Sequence, residues 1–167
     1  MSLHKILLAA MLLALTASCN PFAPKLDDSV STVQFGDPHT INGYFQSFAY
    51  AYEFKDTSLY STLIAPDFIF SFLDYDIGVT VQWGRDDEMS KTAGLFQGVQ
   101  VLDLLWGDVI DSSGTQTSFN VTRTFSLDVT FNPGDIENVD GQAVFVLERA
   151  TPSDPWMAGN WQDESNY

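Results

Sequence analysis

Residues Phe119 to Phe131 alternate so regularly that they leave this chain few ways to fold. Phe119, Val121, Phe125, Leu127, Val129 and Phe131 fall on one face, and Asn120, Thr122, Thr124, Ser126, Asp128 and Thr130 on the other. Successive side chains of a β-strand point to opposite faces, so the segment reads as a long strand with one face buried and one facing water. Such a strand needs a second layer over its apolar face. A hydrophobic content of 45%, with 14% aromatic residues, can supply that layer and argues against a disordered chain. Arg123 alone breaks the pattern, a cation at the inward phase between Val121 and Phe125.

The period of two continues on either side. Val99 to Val109, Ala143 to Arg149 and Trp156 to Asp163 read as further strands. Asp111-Ser112-Ser113-Gly114 makes a turn, and Asn132-Pro133-Gly134 and Asp140-Gly141 bound a loop or small hairpin. Upstream the period becomes helical. A first helix starts near Thr40 or Asn42, either of which can cap it, and carries Ile41, Phe45, Phe48 and Tyr52 on one stripe. Lys55-Asp56-Thr57-Ser58 recaps a short second helix with Leu59 and Leu63, which Pro66 ends. Phe68 to Phe72 is a short aromatic strand, and Asp74 to Gly78 a turn. Arg85-Asp86-Asp87-Glu88 opens a third helix with its acids at the favourable end of the dipole, a core stripe of Met89, Ala93 and Phe96, and a stop at Gly98.

The N-terminus constrains location. Ile6 to Leu15 is an unbroken apolar run after Lys5, long enough for a signal-peptide core and well short of the roughly 20 residues of a spanning helix. Small Ala17 and Ser18 precede Cys19, and Leu15-Thr16-Ala17-Ser18-Cys19 resembles the bacterial lipobox, in which the cysteine is acylated and becomes the mature N-terminus. Thr16 stands where the lipobox most often has Leu. The expected organisation is therefore a signal peptide over residues 1–18, a lipidated Cys19 with a proline-bearing tether over 19–39, and one domain over 40–167. Asn20, next to the cysteine, resembles the signal that sorts such lipoproteins to the outer membrane, so the domain would face the periplasm.

Counts of reactive side chains exclude several chemistries. With Cys19 acylated, no thiol is left for a disulfide, a nucleophile or a zinc–thiolate site. His39 is the one imidazole beyond the signal peptide, in a Gly36-Asp37-Pro38-His39 turn with no G-x-S-x-G elbow to serve it, so it reads as a turn residue beside a cap. Removing the signal peptide takes Lys5 and no acid, leaving 22 acids against six bases. A surface this acidic repels phosphate backbones, so no nucleic-acid partner is expected. No cofactor or metal site is expected either. Asp74-Tyr75-Asp76-Ile77-Gly78 has the alternating acids of a calcium loop without its downstream Glu, and reads as a turn.

Two helices, a short strand, a helix and a meander of long strands follow the order of the nuclear transport factor 2-like superfamily. Leu63-Ile64-Ala65-Pro66-Asp67-Phe68-Ile69-Phe70 resembles its passage from second helix to first strand, and Trp156 to Asp163 resembles its closing Trp…Trp-x-Asp strand. The resemblance covers about Thr40 to Asp163. It implies an α+β cone, with three helices packed on a curved, mainly antiparallel, cystatin-like sheet. It also implies three alternatives: a non-catalytic ligand-binding or scaffold module, a small-molecule enzyme of the SnoaL or ketosteroid-isomerase type, or a subunit of an envelope complex. In the isomerases a catalytic Asp ends the first strand; counting on from Asp67, that position holds Phe72, and Asp74 lies two residues further on. No catalytic residue is assigned.

Three residues are candidates for ligand contact. Arg123 would be a pocket cation for an acidic ligand, or else an ion-pair partner of Asp103 or Glu148, or displaced outward by a bulge. Trp83 would close the pocket mouth or belong to the core. Asp74 would be the shifted counterpart of the isomerase base. The ligand would be small and apolar or acidic. The polar face of Phe119 to Phe131 suits solvent or a sheet-to-sheet homodimer.

Overall fold

Thr40, one of the two caps that the sequence offers, opens the first helix by accepting a hydrogen bond from Gly43 N at 3.0 Å through its side chain. The structure is a computed structural model and describes residues 36–165. Cys19, the expected signal peptide and most of the tether lie outside the described residues. Among the described residues the order is α1 (Ile41–Glu53), α2 (Thr57–Thr62), β1 (Ile64–Asp74), β2 (Val79–Gly84), α3 (Arg85–Gly98), β3 (Val101–Gly114), β4 (Ser118–Asn132), β5 (Asp135–Glu148) and β6 (Met157–Asp163). Asp56 caps α2 by accepting from Ser58 N and Leu59 N, each at 2.9 Å.

The six strands form one sheet in the order β2-β1-β6-β5-β4-β3. Every neighbouring pair is antiparallel except β1 and β6, which run parallel. The α+β class and the mainly antiparallel sheet agree with the sequence reading. The alternation of β4 also holds, with Val121 and Val129 buried and Asn120 and Asp128 exposed. α1 lies on the apolar face and buries Tyr44, Phe45, Phe48, Ala51 and Tyr52 against residues such as Leu102, Phe145 and Leu147.

Besides the turn expected at Asp111 to Gly114, which is the end of β3 and pairs with β4 as far as Gly114↔Phe119, four local readings are corrected. Pro66 does not end α2: the helix stops at Thr62, and Pro66 lies inside β1, where the pairing with β6 shifts register between Ile64 and Ile69. A bulge is where a strand tolerates a residue with no N–H to give. The turn after Asp74 leads into an extra edge strand, β2, hydrogen-bonded to β1 from Asp74↔Val79 to Ile69↔Gly84. Asp140-Gly141 is no turn but the middle of β5, because the hairpin turns earlier at Pro133-Gly134, with Gly134 at φ 86°. Pro then Gly at the central positions suits a type II turn. Gly141 is required by a close approach, since a Cβ there would come within 2.6 Å of Ser165 Cα.

The fourth correction concerns α3. Its buried residues are Glu88, Thr92 and Phe96, one position out of phase with the expected Met89 and Ala93. A carboxylate and a hydroxyl therefore face the core at helical spacing, and they shape the site.

Candidate functional site

Register builds an aromatic wall. Trp83 of β2 stands opposite Phe70 of β1, Phe70 opposite Trp161 of β6, and Trp161 opposite Phe145 of β5. The contacts follow that order: Trp83 stacks on Phe70 at 4.4 Å, Phe70 meets Trp161 edge-on at 4.9 Å, and Trp161 stacks on Phe145 at 5.3 Å. Both arrangements are favoured by ring quadrupoles. Trp106 of β3 and Phe125 of β4, opposite each other, extend the wall on the far side.

Between this wall and the helices lies a cavity of about 330 Å³. α1 contributes Phe48 and Tyr52, α3 contributes Glu88, Lys91, Thr92 and Leu95, and the sheet contributes Leu104, Leu127, Val139 and Asp163 beside the aromatic rings. The lining is mainly apolar; its polar members include Glu88, Thr92 and Asp163, all buried, and Lys91.

Glu88 sits in a ring of neutral donors. Tyr60 Oη donates to Oε1 at 2.7 Å, Thr92 Oγ1 donates to Oε1 at 3.0 Å, and Trp83 Nε1 donates to Oε2 at 2.7 Å. Burial pushes the Tyr60 phenol well above its ordinary range, with the nearby Tyr52 and Glu88 adding to it. Tyr52 is raised likewise, by burial first and then by the Glu88 charge. Both phenols therefore keep their protons, and Tyr60 donates its own to Glu88. Asp163 accepts from Ser165 N at 2.9 Å and from Ser165 Oγ. At the rim, Lys91 Nζ lies 4.7 Å from the centre of the Trp83 ring.

Of the candidates read from sequence, Trp83 lines this cavity, while Arg123 and Asp74 do not. Arg123 lies in a separate cleft of about 260 Å³ with Asn42, Phe45 and Gln46. Its Nη2 donates to Gly107 O at 2.7 Å and its Nε to the same oxygen at 3.3 Å, beside the register shifts of β3. Its guanidinium stands 4.8 Å from the Phe45 ring centre. Among the described residues it forms no ion pair with Asp103 or Glu148. Burial lowers its pKa, and the Asp108 charge partly restores it. Asp74 is taken up in the β1–β2 turn, accepting from Asp76 N at 3.0 Å and Ile77 N at 3.3 Å. His39 pairs with Asp37 through Nδ1 at 2.9 Å, away from the cavity, and its carbonyl accepts from Trp156 Nε1 at 3.1 Å. Phe72, at the isomerase-base position, packs 5.8 Å from the Trp83 ring.

Glu88 and Asp163 were not singled out as site residues. The available signal for Glu88 was its spacing, since Glu88, Thr92 and Phe96 share one helix face.

No family model matches the sequence, and no curated protein matches it. Solved structures do. A conserved protein from Planctomyces limnophilus superposes with a TM-score of 0.66 at 13% identity, over 75% of this chain and 93% of that one. A candidate scytalone dehydratase from Novosphingobium aromaticivorans gives 0.65 at 12% identity, over 76% of this chain and 82% of that one. A candidate dehydratase of the NTF2-like family from Streptomyces avermitilis gives 0.60 at 18% identity, over 76% and 94%. At such identities the likeness is one of fold, and the fold is the nuclear transport factor 2-like cone expected from the sequence.

Proposed function

We propose that this chain is a lipid-anchored protein of the bacterial envelope whose cone binds a small, mainly apolar molecule without transforming it. The observation that carries the binding half is the cavity itself. Phe70, Trp83, Trp106 and Trp161 leave about 330 Å³ between them and the helices, although rings of that size could close on one another. Apolar walls kept apart forgo dispersion contacts that a ligand would restore.

The non-catalytic half rests on how the polar groups are used. Glu88 is held by three donors, Asp74 is occupied in a turn, and Phe72 fills the position of the isomerase base. The enzyme reading keeps one supporting observation, the buried carboxylate of Asp163 in the cavity wall. The anchor is supported by Leu15 to Cys19 and the outer-membrane address by Asn20. The polar outer face of β4 would serve a second copy or solvent, which sedimentation velocity distinguishes.

Native mass spectrometry of protein purified from its own host tests the binding. A retained small molecule is expected, and Leu127→Trp, which fills the cavity, should remove it. Protein that is empty from its host and leaves the fluorescence of the uncharged probe N-phenyl-1-naphthylamine unchanged would rule the reading out.

A further inference from the structure

The charge of the cavity wall restricts what the ligand can be. Glu88 is 4% exposed, and its three partners, Tyr60, Trp83 and Thr92, are neutral. Neutral donors hold the carboxyl group in place and bring no cation of their own, which leaves it open to a cationic ligand. Asp163, 8% exposed, adds a second carboxylate to the same wall. Two carboxyl groups beside one apolar space both favour a cationic ligand over an anionic one.

The rest of the wall acts in the same direction. Aromatic faces carry the negative end of the ring quadrupole and attract cations. The chain already shows this at the rim, where Lys91 places its ammonium over Trp83, a ring that also stacks on Phe70. Of the basic residues, Lys91 lines the cavity with its ammonium over the Trp83 face, and Arg123 is in the other cleft, engaged with Gly107.

Building on the ligand-binding reading above, we propose that the cone selects a small organic cation, an ammonium group carried on an apolar or aromatic body. The ammonium faces the side of the cavity formed by Glu88 and Asp163, and the body packs among the rings of Phe70, Trp106 and Trp161. A neutral molecule of the same shape gains the apolar contacts alone.

The test compares two probes of equal shape on the full-length protein, benzyltrimethylammonium and its uncharged isostere neopentylbenzene, followed by tryptophan fluorescence. The cation should bind at least about tenfold more tightly, the scale of a desolvated cation–π contact with a carboxylate behind it. Glu88→Gln keeps the shape and an oxygen for Trp83, and should remove most of that preference by weakening the cation far more than neopentylbenzene. If Glu88→Gln does not fold, Asp163→Asn provides the same comparison. Equal affinity for both probes would overturn cation selection and leave the cavity reading standing. Binding of neither would overturn both. A preference that survives undiminished in every folded variant would also overturn the assignment to these carboxylates.

Discussion

Trp83 Nε1 donates to Glu88 Oε2 at 2.7 Å, tying the edge strand β2 to the first turn of α3 across the Gly84–Arg85 junction. The bond gives a buried carboxylate a fixed direction and holds a cavity-lining indole in one orientation. Its loss should therefore be felt in stability. Glu88→Ala leaves the Trp83 N–H and the Tyr60 and Thr92 hydroxyls without their acceptor, and should cost about 3 kcal/mol. Glu88→Gln should cost about 1 kcal/mol, since one oxygen remains to accept. Urea denaturation followed by circular dichroism measures both, and equal losses would show that the donors find other partners.

Arg123 behaves as a clamp on the bulged part of β3. Arg123→Ala removes the bonds to Gly107 O and the contact with Phe45, and should lower stability by about 1–2 kcal/mol. Arg123→Lys should recover part of that, because a single ammonium can reach one carbonyl but has no planar fork. Thermal melts of the two variants decide it. A loss above about 4 kcal/mol would instead mean a stranded buried carboxylate.

The carboxyls of Glu148 and Asp67 share a hydrogen bond. Burial first, then the charge of Asp67 and that bond, raise the Glu148 pKa above its ordinary value of 4.5. The folded state thus binds this proton more tightly than the unfolded state. The stability this group contributes is fully present below 4.5 and is lost as the pH rises through the raised folded value. Glu148→Gln should flatten the melting temperature against pH just above that point and raise it at neutral pH. An unchanged profile would place the proton elsewhere.

Cys19→Ala should release the protein from membranes and leave the domain folded, because acyl chains supply about 0.8 kcal/mol per buried CH₂ and would be the whole attachment. Fractionation after a high-salt wash gives the answer. A variant that still sediments with membranes would exclude acylation as the anchor.

The strand alternation of Phe119 to Phe131 was legible because one face of β4 meets the core and the other does not, the condition under which a period of two is written into sequence. β2 was not, because Val79 to Gly84 is a short edge strand with three exposed members and no sustained alternation. Pro66 misled because proline ends helices far more often than it occupies a bulge. Glu88 was concealed by its own position. An acid in the first turn of a helix is satisfied by the dipole, and nothing local marks it as turned inward. What places it there is Tyr60 from α2 and Trp83 from β2, contacts that exist only once the sheet has assembled. Trp83 was visible as a candidate because a large aromatic ahead of a helix has few other uses.

The parallel pairing of β1 with β6 has a consequence in time. The β1–β2 hairpin joins the β3–β4–β5 meander through β6 alone, and β6 follows every other strand in sequence. A chain emerging N-terminus first holds two separate pieces of sheet until β6 arrives. Pairings so distant in sequence form late and slowly. Closure of the sheet is thereby deferred until β6 is present, and the elements before it wait as two unjoined pieces.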